Sequence, residues 1–203
     1  MDFELWEPIY LDILKDMGFS REGDEHAAIL LSQMLDPART EDVLILEKLI
    51  AGKNILVCGN APGLGADLDH MDTSGYVIIA ADGATASLVD RDITPDIIVT
   101  DLDGDVEKEI VANKRGAVIV VHAHGDNIDK LEKYVPQLSN MIGSTQSVPL
   151  ENVYNFGGFS DGDRCVFLAK EFGASDIKLL GFDFDDEHVT DIKKKKLMWA
   201  KRL

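Results

Sequence analysis

The sequence predicts a doubly wound α/β domain with a mainly parallel sheet, preceded by an N-terminal helical extension. Three observations carry that reading. From Asn54 onward, short apolar, β-branched runs alternate with more polar stretches of helical length. The runs are continuously apolar, as expected of strands covered on both faces and hence of a parallel sheet. Before Asn54, apolar residues recur at helical spacing instead.

The first segment spans residues 1–51. Leu5, Ile9, Leu11, Ile13 and Leu14 supply one apolar face, and residues 27–31 another. Thr40 is placed as an N-cap before Val43, Leu44, Leu46, Leu49 and Ile50, with Gly52 as the stop. This segment shows no chemistry and reads as a helical cap or a surface for a homo-oligomer. The α/β domain spans residues 52–203. Strands are predicted at 55–58, 76–81, 96–100, 117–122, 140–142 and 177–182. Helices are predicted at 85–90, 106–113, 127–135 and 161–172, and a last one, holding the lysine run 193–196, continues to Leu203. The arrangement is Rossmann-like, so ligands are expected beyond the C-terminal ends of the strands.

With 203 residues, the chain can bury one sizeable core. Lys and Arg number 20 against 37 Asp and Glu, a formal net charge of −17. Such a surface repels nucleic acid and anionic membrane, and it admits an anionic substrate where a divalent cation inverts the local field. Cys58 and Cys165 lie far apart and outside any C-x-x-C spacing, against a disulfide framework or structural zinc and for a reducing compartment. The N-terminus carries acid where a signal peptide carries base, and no apolar run reaches the length of a membrane span. A cytoplasmic location is expected.

Five constellations fall at strand ends. Cys58-Gly59-Asn60-Ala61-Pro62-Gly63-Leu64-Gly65 follows the first strand. It matches neither a Walker A loop nor G-x-G-x-x-G, and reads as a phosphate-approaching loop or a tight turn. Ala81-Asp82-Gly83-Ala84 follows the second, where Asp82 can bind a ribose hydroxyl or base edge, or cap a helix. Thr100-Asp101-Leu102-Asp103-Gly104-Asp105 follows the third. In extended backbone its carboxylates face one way, roughly 6.5 Å apart, and repel unless a cation such as magnesium, manganese or calcium joins them. An EF-hand is excluded, because its required Gly and Glu fall on Val106 and Ala112.

His122-Ala123-His124-Gly125-Asp126-Asn127 ends a fourth strand. Without a third His or a Cys at ligand spacing, it suits polar contacts to substrate, or a structural role, better than zinc or iron. The fifth, Asn155-Phe156-Gly157-Gly158-Phe159-Ser160-Asp161-Gly162-Asp163-Arg164, enters an apolar helix with Ser160 or Asp161 as its cap. The Gly157-Gly158 pair and the charged run exceed what capping needs. Asp161 can complete a metal site while Arg164 neutralises phosphate.

The last four of these constellations, together with Pro95-Asp96, resemble the archaeal 6-hydroxymethyl-7,8-dihydropterin diphosphokinase family over about residues 50–203. They are similar, more distantly, to the catalytic domain of thiamine diphosphokinases, although Thr100 replaces a Gly and Gly158 an Asp of that pattern. The resemblance implies that Asp101, Asp103 and Asp161 hold magnesium and that Asp82 and Gly83 contact nucleotide or pterin. It implies transfer of diphosphate from ATP to the pterin, with AMP released, on a route to methanopterin or folate. Arg164 and the C-terminal lysines then offset phosphate charge, while Asp105, Asp126 and Asp161 are candidates for a general base. A second resemblance links Gly59-Asn60-Ala61-Pro62-Gly63-Leu64 to the Gly-Asn-x-Pro-Ser-Leu loop of sugar-nucleotide glycosyltransferases, with Gly63 in place of the Ser. A nucleotide- or metal-sensing module is the non-enzymatic alternative.

Overall fold

The computed structural model describes residues 1–186 and 188–203. Two capped helices open the chain: α1 (Phe3–Met17), capped by Asp2, and α2 (Arg21–Met34), capped by Ser20. Next comes α3 (Leu44–Ile50), and here the expected cap is corrected. Thr40 forms a parallel bridge with Met141, drawn there by the sheet, and Asp42 Oδ1 accepts from Leu44 N at 2.9 Å. Gly52 follows α3 at φ 67°, the left-handed region that suits glycine.

From there strands and helices alternate. They are β1 (Asn54–Cys58), α4 (Leu64–Asp69), β2 (Val77–Ala81), α5 (Ala84–Val89), β3 (Ile97–Thr100), α6 (Val106–Lys114), β4 (Val118–Ala123) and α7 (Ile128–Tyr134). A single 3-10 turn (Val135–Gln137) leads to β5 (Met141–Thr145), β6 (Val153–Tyr154), α8 (Asp161–Glu171), β7 (Asp176–Leu180) and α9 (Asp191–Arg202). The seven strands form one wholly parallel sheet in the order β6-β5-β4-β3-β2-β1-β7.

The chain steps from β1 outward to β6, and α8 then returns it to the far side of β1. That reversal puts α8 on the opposite face from α4–α7 and produces the expected double winding. On one face Leu56, Ile78, Ile98 and Ile119 pack beneath α2 and α4–α7; on the other Ile55, Val57, Ile79 and Val99 pack beneath α3 and α8. Each such side chain, once fully buried, contributes roughly 1.5–3 kcal/mol. Trp6, Tyr10 and Ile13 of α1 pack with Phe159 and Trp199, which seats α9 beside the sheet's C-terminal edge.

Four other expectations change. The β5 strand runs on through Gly143, Ser144 and Thr145, which are small or polar yet buried, so apolarity alone ends it early. Two residues of β6 and six of α4, with Gly65 inside it, are too short for a periodic signal. Gly181, at φ 68°, turns the chain before Phe182, so β7 stops at Leu180. Lying at the sheet's edge, β7 is also not covered on both faces, and Leu179 is 41% exposed. No helix among the described residues is long and apolar enough to cross a membrane.

Candidate active site

A cleft of about 590 Å³ opens beyond the C-terminal ends of β1, β2 and β3, with the start of α8 on one side and α9 along another. Its floor is acidic. Asp82 follows β2 and Asp101 follows β3, while Leu102, at φ 64°, turns the chain sharply. That conformation costs a β-carbon-bearing residue about 1–2 kcal/mol. It is held by the bond from Leu102 N to the Thr100 hydroxyl at 2.8 Å and by burial of the Leu102 side chain.

The turn breaks the expected row of three carboxylates. Asp105 leaves it to cap α6, accepting from Lys108 N at 3.4 Å. Asp82 takes its place: one oxygen each from Asp82, Asp101 and Asp103 lies within 4.8 Å of the others. Asp101 is 6% exposed, its Oδ2 sits 3.1 Å from His124 Nε2, and its Oδ1 has no partner among the described residues. Burial raises this carboxyl, but the His124 hydrogen bond and the charges of Arg164, His124 and Lys196 outweigh it and hold it at about 2. Burial, and then Asp101 and Asp82, push Asp103 the other way. An orphaned ionised oxygen among three converging carboxylates fits a hard, oxygen-seeking divalent cation.

Asp82 is fixed from several sides. Its Oδ1 accepts from the Thr100 hydroxyl at 3.0 Å and from Gly104 N at 3.2 Å. A β-carbon on Gly104 would lie 2.7 Å from the Asp82 carboxylate, and one on Gly83 would lie 2.3 Å from Asn60 Nδ2. Both positions therefore exclude a side chain so that a polar group can approach. Glu109, wholly buried on α6, lies behind Asp82; burial first, and then Asp82, raise its carboxyl well above the ordinary range.

Ser160 is the α8 cap. Its N–H donates to Asp163 Oδ1 at 2.8 Å, and Phe159 N donates to Asp163 Oδ2 at 2.6 Å, so Asp163 is committed to the cap. Asp161 and Arg164 line the cleft one turn apart, with Nη1 3.1 Å from Asp161 Oδ1. Burial and the charge of Asp101 raise Asp161 against the pull of Arg164. Gly157 and Gly158 have φ of 82° and 86° and lie outside the cleft lining. A β-carbon on Gly158 would meet the Arg164 backbone at 2.7 Å, so the pair lets the loop close against α8.

Of the histidine constellation, His124 and Asp126 line the cleft, whereas His122 and Asn127 are buried beneath it. Asn127 Nδ2 donates to the carbonyls of Asp101 and His122, both at 2.8 Å, and its Oδ1 accepts from His124 N. Ser144 Oγ donates to Val121 O at 3.3 Å and so accepts from His122 Nδ1 at 3.1 Å, which places the proton of His122 on Nδ1. Burial, Arg164 and His124 keep this ring neutral. Gly59 and Asn60 line the cleft as expected.

Sequence reasoning misses several lining residues. Phe182 and Phe184 stack with ring centroids 5.6 Å apart. A β-carbon on Gly162 would sit 2.8 Å from the Phe182 ring and one on Gly59 at 3.0 Å, so both glycines let the ring lie flush. Alternating aromatics directly after a strand are the signal that was available. Phe19 and Gln146 also line the cleft, without any local motif. Lys193 and Lys196 reach it from α9.

Residues 30–188 match the family model described as 6-hydroxymethylpterin diphosphokinase MptE-like. The chain is 41% identical to a Methanocaldococcus jannaschii protein over all of this chain and 94% of that relative. It is 44% identical to one from Methanothermobacter thermautotrophicus, over 92% of this chain and 80% of the relative. A Pyrococcus furiosus protein is 43% identical over all of this chain and 93% of its own length. Each of the three is named 6-hydroxymethyl-7,8-dihydropterin pyrophosphokinase. By this match and by these identities over nearly its whole length, the chain belongs to the MptE-like 6-hydroxymethylpterin diphosphokinase family.

Proposed function

We propose that this chain transfers diphosphate from ATP to the hydroxymethyl group of 6-hydroxymethyl-7,8-dihydropterin and releases AMP, with magnesium as cofactor. The observation that carries the reading is the charge arrangement of the cleft. Three carboxylates converge on its floor, while Arg164, Lys193 and Lys196 stand on its walls. A polyphosphate needs both signs: a cation held by acid, and direct cationic donors.

In this reading Asp82, Asp101 and Asp103 hold magnesium, supported by the convergence of their oxygens, with Asp161 bordering them from α8. Magnesium bound there supplies Lewis-acid neutralisation of phosphate oxygens. The chain's own groups do the rest. Arg164 spends one N–H on Asp161 and another on Gln146, and so presents its remaining donors in a fixed orientation. Lys193 and Lys196 offset phosphate charge from α9. The His124 hydrogen bond holds Asp101 in register. The stacked Phe182 and Phe184 rings offer a face for a planar heterocycle. Positioning of the hydroxyl in line with the β-phosphorus then sets the outcome.

Phosphorus NMR of a mixture of enzyme, ATP, magnesium and the pterin tests the reaction. AMP and a pterin diphosphate are expected in equal amounts. ADP with a pterin monophosphate would make the chain a simple kinase, and an unchanged ATP spectrum would remove the proposal.

A further inference from the structure

Asp24 lies on α2, ahead of the residues that match the family model, and is 3% exposed. Its Oδ1 accepts from Gly125 N at 2.9 Å, and its Oδ2 accepts from the Tyr10 hydroxyl and from Gln146 Nε2, each at 2.8 Å. Gln146 is likewise 3% exposed, and its Oε1 accepts from Arg164 Nη2 at 3.1 Å. The backbone of Gln146 is pinned as well, its carbonyl accepting from Trp6 Nε1 at 2.9 Å. The close approach needs small residues: a β-carbon on Gly125 would meet Gly23 Cα at 3.2 Å.

The polarity of this chain of bonds is determined at both ends. An ionised carboxylate only accepts, and a guanidinium only donates. The Gln146 amide between them must therefore turn its NH₂ to Asp24 and its oxygen to Arg164. We infer that Asp24 is a positioning residue for Arg164, acting through the Gln146 amide, and that the N-terminal helices thereby complete the phosphate-facing side of the cleft. The inference rests on the reading of Arg164 as a phosphate-binding group.

The substitution Asp24→Asn exposes the logic. The Gly125 N–H is backbone and cannot stop donating, so the new amide must keep its oxygen there and turn its NH₂ toward Gln146. Gln146 must then flip, which presents its own NH₂ to Arg164, donor against donor. The double variant Asp24→Asn with Gln146→Glu restores an acceptor facing both neighbours. Tyr10→Phe removes a donor to Asp24 but leaves the Gln146 bond in place, and so reports on stability alone.

The test compares these full-length variants and Gln146→Ala with the wild type. Binding of inorganic pyrophosphate in magnesium is measured by calorimetry, and turnover with ATP and the pterin by product assay. Asp24→Asn and Gln146→Ala are expected to weaken pyrophosphate about tenfold or more, since small displacements of a binding group are costly. They should raise KM for ATP more than they lower kcat. Tyr10→Phe should lower the melting temperature without moving either value, and the double variant should recover most of the loss. Wild-type affinity in Asp24→Asn, or an equal loss in Tyr10→Phe, would overturn the inference. If Asp24→Asn does not fold, Gln146→Ala carries the comparison. A crystal structure of whichever of these two variants folds reads the relay independently of any substrate, and an unmoved Arg164 guanidinium there would also overturn it. Failure of the wild type to turn over would instead strike the diphosphokinase reading and leave that structural readout in force.

Discussion

The Thr100 hydroxyl donates to Asp82 Oδ1 at 3.0 Å and accepts from Leu102 N at 2.8 Å. One wholly buried side chain thus joins the ends of β2 and β3 and holds the turn that brings Asp101 and Asp103 beside Asp82. Thr100→Val keeps the β-branched shape that suits a strand but removes both bonds. Stability should fall by about 1–3 kcal/mol, because a buried N–H is left without an acceptor. Magnesium affinity should fall with it. Thr100→Ser, which retains the hydroxyl, should restore most of both, as read by thermal melts with and without magnesium. Equal behaviour of the Val and Ser variants would show that the hydroxyl is not what orients Asp82.

Asp101→Asn and Asp103→Asn probe the acidic floor directly. Each removes a carboxylate from the proposed magnesium site and should lower turnover by about a hundredfold or more, given the several kcal/mol that a bound metal supplies. The metal-free Asp103→Asn protein should melt no lower than wild type, since Asp101 and Asp82 repel this carboxylate. Isothermal titration with magnesium gives the binding loss. Full activity of either variant in excess chelator would mean that the cluster is a solvated acidic turn.

Arg164 is 7% exposed and bridges Asp161 and Gln146 through two nitrogens. A lysine ammonium cannot span both acceptors with the same planar fork. Arg164→Lys should therefore raise KM for ATP and also cost about 1–3 kcal/mol, from the acceptor left unpaired. Matched kinetics in the two proteins would assign Arg164 to structure alone.

The fold was legible because its central strands, β1 to β4, are buried on both faces and therefore continuously apolar. The run predicted at 117–122 falls on β4, Val118–Ala123, whereas β6 and α4, too short for a periodic signal, escape. Two of the three carboxylates of the acidic centre were legible too, since Asp101 and Asp103 lie two residues apart. The role of Asp82 was not. It depends on the parallel pairing of β2 with β3, which sets Ala81 beside Val99, and on the left-handed Leu102, a conformation that no local pattern announces for a leucine. Asp24 lay further out of reach, 101 residues before the backbone N–H it accepts from. The lysine run of α9 was legible as charge, but its place at the cleft follows from the packing of Trp199 on α1 and from the bonds of Lys195 and Trp199 to Asp16.

Glu109 offers a pH test of the site's interior. It is wholly buried, and neither of its oxygens has a hydrogen-bond donor among the described residues. Burial, and then the neighbouring Asp82, raise its carboxyl well above the ordinary 4.5, so the folded protein keeps this proton where the unfolded chain has lost it. Between the unfolded and folded pKa values the native state binds the extra proton, and stability falls as pH rises through that window. Below the unfolded value the cost is absent. Glu109→Gln keeps the shape but cannot titrate. Its unfolding free energy should therefore decline less steeply than wild type as pH rises above the ordinary glutamate value, by up to about 1.4 kcal/mol for each pH unit of the window. Urea unfolding at three pH values supplies the slopes. Parallel slopes for wild type and Glu109→Gln would show that Glu109 does not keep its proton in the fold.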